Sequence, residues 1–224
     1  KEKGPASVVS QAQLAEGIYD LRLKAPEIAS QAAAGQFVSV YSKDGSRLLP
    51  RPISLCGIDK EAGQLRLVYR VAGAGTEEFS ALKAGDTVDI LGPLGNGFSL
   101  LEGKKAFLIG GGIGIPPMLQ LAKELCALNG SEMVQSVIGY RDSQLFLKDE
   151  FEAYGPVYTA TEDGSRGTKG NVLDAIRENG LTADVIYACG PTPMLRALKA
   201  YAAENNIQCW ISLEEKMACG VGAC

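Results

Sequence analysis

Ala106-Phe107-Leu108-Ile109-Gly110-Gly111-Gly112-Ile113-Gly114-Ile115-Pro116-Pro117 decides the fold of the C-terminal half. A four-residue apolar run reads as a buried strand, the glycines as a tight turn, and Pro116 to about Asn129 as an amphipathic helix. Main-chain N–H groups in such a turn can face a phosphate, and the helix N-terminus adds positive potential. The spacing is not G-x-G-x-x-G, and the segment also suits a strand–helix turn that uses glycine only for packing. Working outward, Ser136–Tyr140 and Val157–Thr161 read as further strands, and Val185–Gly190 leads into a helix around Met194–Asn205. Strands alternating with helices imply a parallel α/β sheet. Cys189-Gly190-Pro191-Thr192-Pro193-Met194 stands at the end of one of those strands, where ligands of open α/β sheets collect. It suits equally a turn in which Pro starts a helix beside a small buried Cys. Two such turns in one sheet can flank a single crevice.

The N-terminal half has a different texture. Gly17–Leu23, Gln36–Tyr41, Gln64–Val71 and Asp86–Ile90 alternate apolar and polar residues at period two, as half-buried antiparallel strands do. Gly35, Gly45, Gly63 and Gly85 punctuate them at turns. Closely spaced strands of this kind predict a small antiparallel β-barrel or a sandwich. The texture changes after Gly92-Pro93-Leu94-Gly95-Asn96-Gly97, which sets expected domains of 1–100 and 101–211, with 212–224 as a terminal arm. Arg51-Pro52-Ile53-Ser54 joins a guanidinium suited to phosphate, a rigid turn and a hydroxyl able to bond a ring nitrogen. Val68-Tyr69-Arg70, followed by Gly75 and Thr76, repeats the theme of aromatic ring, cation and exposed backbone N–H groups. Both segments also read as ordinary strands with surface Arg and core Tyr.

Composition narrows the function classes. The chain of 224 residues has 46% hydrophobic and 21% charged residues, ordinary for a globular protein. Its formal charge of −4 argues against a nucleic-acid partner. No apolar run reaches the ~18 residues of a membrane span, so no membrane partner is expected. The start, Lys1-Glu2-Lys3-Gly4-Pro5, has neither Met nor an apolar leader core and reads as a processed or engineered end. The chain has no His, which removes the commonest general base and metal ligand and makes hydrolase readings poor. Six Cys permit a disulfide framework, but Cys56, Cys126, Cys189 and Cys209 are scattered singly, which favours a reducing cytoplasm.

The chain closes on Glu214-Glu215-Lys216-Met217-Ala218-Cys219-Gly220-Val221-Gly222-Ala223-Cys224. Two Cys separated by four residues in a Gly-rich turn match the opening of the plant-type iron–sulfur pattern C-x4-C-x2-C…C. A [2Fe–2S] cluster takes four thiolates, and the third of that pattern would fall beyond Cys224. As it stands this polypeptide is expected to hold an incomplete ligand set, as a truncated or partly lost form.

Together these pieces resemble the ferredoxin–NAD(P)H reductase superfamily. Arg51–Ser54, Gly75-Thr76 and Gly92–Phe98 are similar to its flavin domain, and the turns Gly110–Pro117 and Cys189–Pro191 to its nucleotide domain. The ending Ser212–Cys224 resembles that of the electron-transfer subunit of class 1B, NAD-linked dihydroorotate dehydrogenases. The resemblance implies that Arg51, Pro52, Ile53 and Ser54 hold FAD, with Arg51 on its phosphates and Ser54 near the ring, and that Val68, Tyr69, Arg70, Gly75 and Thr76 complete that site. It implies that Gly110, Gly111, Gly112 and Gly114, with Cys189, Gly190 and Pro191, receive NAD, and that Glu214 lies on the approach to the flavin. Cys219 and Cys224 become the first two [2Fe–2S] ligands.

The implied partner is an FMN-containing catalytic subunit, in a heterotetramer that links dihydroorotate oxidation to NAD⁺ in pyrimidine biosynthesis. Little acid–base chemistry is needed for such a task, which fits a chain without His. NAD is expected over NADP because no dense basic cluster follows the second strand, although Arg141 stands there. Two other readings share these motifs. One is the small flavin and iron–sulfur subunit of another NAD(P)H:ferredoxin or sulfide oxidoreductase. The other is a cluster-less nucleotide-sensing or assembly module.

Overall fold

The structure, a computed structural model, describes residues 1–45 and 47–213. The chain divides into two compact units, Lys1–Gly97 and Phe98–Leu213.

The first unit is a closed barrel of six antiparallel strands: β1 (Glu2–Ala15), β2 (Ile18–Lys24), β3 (Phe37–Val40), β4 (Arg51–Asp59), β5 (Gln64–Arg70) and β6 (Thr87–Leu94). Their order around the barrel is β1-β2-β5-β4-β3-β6. Closure leaves no open sheet edge. The period-two pattern sends Val38, Val40, Leu55, Leu65, Leu67 and Ile90 inward, where all are buried. Two short helices attach to the barrel, α1 (Pro26–Gln31) and α2 (Ala74–Ser80), and each sinks apolar side chains into the core, Ile28 and Ala29 from the first and Phe79 from the second. On the outward face of β2 and β5 Arg66 forks onto the buried Asp20, with Nε 3.0 Å from both carboxylate oxygens and Nη2 2.9 Å from Oδ2. This planar two-point pairing ties β5 to β2.

Two features of the barrel differ from the sequence pattern. β1 starts at Glu2 and is the longest strand, although it contains Gly4, Pro5 and few apolar residues. Pairing with both β2 and β6 holds it, since only Ala6 and Val8 are buried along it. β6 continues through Gly92-Pro93-Leu94, which reads as a turn. The register against β3 shifts between Leu91 and Leu94, so Pro93, which has no N–H to donate, lies where the ladder is already interrupted.

The second unit is a six-stranded parallel sheet of β7 (Ala106–Gly111), β8 (Val134–Tyr140), β9 (Val157–Thr161), β10 (Thr168–Lys169), β11 (Val185–Cys189) and β12 (Gln208–Ser212). Its order is β10-β9-β8-β7-β11-β12. Every residue of β7 and β11 is buried, as expected for central strands covered on both faces. α3 (Ile115–Asn129) packs on β7, β8 and β11. A short α4 (Lys148–Phe151) follows β8. On the other face α5 (Val172–Glu178) and α6 (Thr192–Glu204) place Ile176, Leu195 and Leu198 against Phe107, Ile109, Val137 and Ile186. No described helix is long and apolar enough to cross a membrane. Among the described residues no disulfide joins Cys56, Cys126, Cys189 and Cys209.

Candidate functional site

In the parallel sheet the chain runs from β7 outward through β8 and β9, then returns to the other side of β7 with β11. The order therefore reverses between β7 and β11, and at such a point the turns leaving the two strands part and open a crevice at their C-terminal ends. The two sequence-predicted turns are those turns. Gly110 and Cys189 are directly paired across the ladder. A Cβ on Gly114 would lie 2.3 Å from the Cys189 carbonyl oxygen and 2.6 Å from the Gly190 Cα, so main chain meets main chain there and only glycine fits. Met194, in the first turn of α6, fills the space beside Gly111 and Gly190. Pro191 precedes α6 in extended conformation, and Pro116 and Pro117 begin α3 without loss of a helical hydrogen bond. The structure thus brings Gly110, Gly111, Gly112, Gly114, Cys189, Gly190 and Pro191 to one place. Gly110, Gly111, Gly114 and Cys189 are buried, and Gly112, Gly190 and Pro191 reach the surface, so what they offer a ligand is main chain at two helix starts.

A second feature stands at the ends of β8 and β9. The Asp163 N–H donates to the Arg141 carbonyl at 3.4 Å, which sets the loops that follow these strands side by side. Buried Thr161 organises the second loop: its hydroxyl donates to the Arg166 carbonyl at 2.7 Å and accepts from the Arg166 N–H at 3.1 Å. Arg141 is accompanied by Asp142, Glu162 and Asp163. Hydrogen bonds from the Ser165 hydroxyl and N–H hold the Asp163 carboxyl below its ordinary value.

In the barrel, Arg51 opens β4 opposite Val40, and Pro52, Ile53 and Ser54 pair with Ser39, Val38 and Phe37. Ile53 belongs to the buried core, and so does Tyr69 on β5. The Tyr69 ring stacks on Tyr19 with centroids 6.0 Å apart and meets Phe79 edge-on at 6.4 Å. Burial first, and the neighbouring Tyr19 second, push its hydroxyl pKa well above the usual tyrosine value. Side chains of Ile53 and Tyr69 therefore face the core, and only their main chain is available to a ligand. Ser54 and Val68 each lie one residue beyond the paired Leu55 and Leu67, on the outward phase of adjacent strands.

Arg51 meets α2. A Cβ on Gly75 would lie 2.7 Å from Arg51 Nε and 3.4 Å from its Cζ, so the guanidinium rests on the bare backbone of the helix's first turn. Neither Arg51 nor Arg70 forms an ion pair with a described residue. Thr76 turns back on its own loop: its hydroxyl accepts from the N–H of Ala72 at 2.9 Å and of Gly73 at 3.2 Å, and donates to the Gly73 carbonyl at 2.9 Å. The donor set of two guanidiniums without an ion pair among the described residues, an outward hydroxyl at Ser54 and main-chain N–H groups fits a dinucleotide with a diphosphate.

Sequence reasoning missed the group that braces α2. Arg47 Nη1 donates to the Ala74 carbonyl and to Glu78 Oε2, each at 2.8 Å. Glu78 also accepts from the Lys43 N–H at 2.8 Å and from the Ser42 hydroxyl. Burial raises the Glu78 carboxyl, but these donors and the Arg47 charge outweigh it and hold the pKa below the ordinary value. Only an i to i+31 pairing connects Arg47 with Glu78, and no local pattern announces it. Glu214, Cys219 and Cys224 lie outside the described residues. Among the described residues no cluster of three His, Cys, Asp or Glu is placed to hold a metal.

A six-stranded barrel carrying Arg51 and Arg70 and a parallel sheet with two helix-starting turns at its switch point define a flavin–nicotinamide oxidoreductase. Comparison with known proteins agrees. Residues 5–98 match the oxidoreductase FAD-binding domain, and residues 108–200 the oxidoreductase NAD-binding domain. The chain is 45% identical to the dihydroorotate dehydrogenase B (NAD(+)) electron transfer subunit of Geobacillus sp. (strain WCH70), over 97% of this chain and 85% of that protein. It is 47% identical to the subunit of the same name from Bacillus caldolyticus, with the same coverage. A solved structure of an NADH-dependent reduced ferredoxin-NADP oxidoreductase superposes with a TM-score of 0.88 at 32% identity, over 98% of this chain and 79% of that one. The chain belongs to the family of dihydroorotate dehydrogenase B electron-transfer subunits.

Proposed function

We propose that this chain delivers electrons from dihydroorotate oxidation, carried out on the FMN of a catalytic partner subunit, to NAD⁺. The net reaction is dihydroorotate + NAD⁺ → orotate + NADH + H⁺. The observation that carries this reading is the similarity of 45–47% running through both units of the chain, not one alone. When bound, FAD exchanges hydride with nicotinamide and single electrons with a [2Fe–2S] cluster, which connects it to the partner's FMN.

The chain's own residues bind and orient. Arg51 meets the FAD diphosphate across the bare backbone at Gly75, Arg70 adds a second cation, and the Ser54 hydroxyl and the main chain of Ile53, Val68 and Tyr69 address the ring. The turns at Gly110–Gly114 and Cys189–Pro191 receive NAD through main-chain N–H groups at two helix starts. Carboxylates at Asp142, Glu162 and Asp163 beside Arg141 oppose the extra phosphate of NADP, with Asp163 held ionised by Ser165. That local charge, together with 32% against 45–47% identity, favours the dihydroorotate reading over a ferredoxin-NADP oxidoreductase. By the family resemblance, Glu214 would stand on the approach to the flavin, and Cys219 and Cys224 would supply two of the cluster's four thiolates. The assembly is a heterotetramer of two subunit types, acting in pyrimidine biosynthesis in the cytoplasm, where reduced thiols such as Cys126 and Cys209 persist.

Anaerobic titration of the purified full-length protein with NADH tests the reading. Flavin absorption and a broad iron–sulfur shoulder should both bleach with NADH and far less with NADPH. A colourless protein would sink the enzyme reading, and bleaching by NADPH alone would reverse the nucleotide assignment.

A further inference from the structure

β1 changes phase at Val9. Its register against β2 steps from Val8 opposite Leu23 to Ser10 opposite Arg22, which leaves Val9 as the extra residue of a bulge. Before the bulge Ala6 and Val8 point into the core. After it Gln11, opposite the inward Leu21, takes the inward phase. An amide thereby enters the barrel where α2 inserts Phe79.

There Gln11 makes a dense set of bonds. Its Nε2 donates to the carbonyls of Phe79 at 2.9 Å, Ser80 at 3.0 Å and Leu82 at 2.9 Å. The three carbonyls, which can only accept and share the two N–H groups, fix the amide with its nitrogen toward the helix, and its Oε1 accepts from the Tyr69 hydroxyl at 3.0 Å. A helix C-terminus leaves its last carbonyls without intrahelical donors. α2 has no basic residue in its last turn and no glycine there, since Ala81 follows it in right-handed conformation. The Phe79 carbonyl already accepts from the Leu82 N–H at 3.1 Å, and Gln11 adds a donor from another strand to it and to the Ser80 and Leu82 carbonyls. At the opposite end of the same seven-residue helix, Gly75 rests on Arg51 and the Ala74 carbonyl takes Arg47. A helix this short transmits a tilt at one end to the other.

We propose that Gln11 is a positioning residue for flavin binding: by capping α2, with Tyr69 bonded to its amide oxygen, it sets Gly75 at the distance that leaves the Arg51 guanidinium aimed at the diphosphate. The proposal rests on the assignment of FAD to Arg51 and Gly75. Gln11 itself touches no ligand.

FAD affinity of the full-length apoprotein, measured by fluorescence quenching with visible circular dichroism of the bound flavin, tests it. Gln11→Leu, similar in shape and without a donor, should raise the FAD Kd about tenfold and alter the dichroism, and Tyr69→Phe should raise it about threefold. Gln11→Glu adds a readout that simple loss of packing would not give. Its carboxyl faces the three carbonyls of α2 and its turn, the Tyr69 hydroxyl of β5 and, behind it, Tyr19 of β2. Protonated it can donate as the amide does, and ionised it repels those carbonyls. Its affinity should therefore recover toward wild type as pH falls below about 6 and be poor at pH 8, with the wild type changing little by comparison. An unchanged Kd and dichroism in Gln11→Leu, while Arg51→Ala is weakened, would overturn the positioning role and leave the flavin site standing. An unchanged Arg51→Ala would overturn the flavin assignment and the inference with it.

Discussion

The two units build their binding surfaces by different means. In the parallel sheet the surface is main chain: glycines and prolines in two turns, brought together because β7 and β11 are neighbours at the switch point. In the barrel it depends on three side chains from outside one short helix, Gln11, Arg47 and Arg51, converging on it, with Glu78 of the helix itself answering Arg47. A main-chain site is intolerant of any added atom but needs few residues. A side-chain site tolerates change at each position and distributes its order over many.

The largest effect should break the sheet side of that contrast. Gly114→Ala sets a methyl 2.3 Å from the Cys189 carbonyl, which neither turn can relieve without backbone movement. A cost of about 1–3 kcal/mol is expected, with NADH affinity lowered about ten- to hundredfold and FAD content retained. Stopped-flow flavin reduction against NADH concentration reads both. Normal NADH affinity in this variant would show that the two turns need not touch.

In the barrel, Arg51→Ala should weaken FAD about tenfold to a hundredfold, the range of a lost charge-assisted hydrogen bond. NADH binding should be spared, since the two units hold their ligands through different residues. Equal loss of FAD and NADH affinity, measured by equilibrium dialysis, would dissolve the comparison.

A smaller effect concerns the brace on α2. Glu78→Gln should lower the melting temperature by a few degrees at pH 7, on the order of 1 kcal/mol for a group that is partly exposed. The sign with pH follows from the depressed folded-state pKa of Glu78. Its contribution is complete above the ordinary carboxylate range and is lost as pH falls through the lower folded value. The gap between wild type and variant should therefore close between about pH 5 and pH 3. A gap that widens on acidification would contradict the assignment.

The smallest effect lies at the loops after β8 and β9. Asp163→Lys should shift the NADH-to-NADPH preference by only about threefold, because the site is exposed and screened, and less at high salt.

Legibility in the sequence follows the same division. Gly110–Pro117 and Cys189–Pro191 were readable because a strand, a Gly or Pro turn and a helix are consecutive in the chain, and parallel topology then places their ends together. Arg51–Ser54 was readable as a motif and a core Tyr69 as one of two readings, but not the fact that Ile53 turns its side chain inward. Strand phase depends on register, and register is set by partners far away in the chain. Gln11 shows this most plainly. The bulge at Val9 changes which residues of β1 face the core, and it is fixed by the register of β1 against β2 rather than by any motif in β1. α2 was hidden for another reason. Seven residues that begin Ala-Gly-Thr have weak helix propensity, and the helix is held by Phe79, Gln11 and Arg47.

The most direct measurement mixes the full-length chain, loaded with FAD and iron–sulfur cluster, with its FMN-containing partner, and follows NADH absorption at 340 nm on addition of dihydroorotate and NAD⁺. The account predicts NADH formation that requires both subunits and falls with Arg51→Ala and Gly114→Ala. NADH formation by the partner without this chain, or none when both are present and loaded, would contradict it.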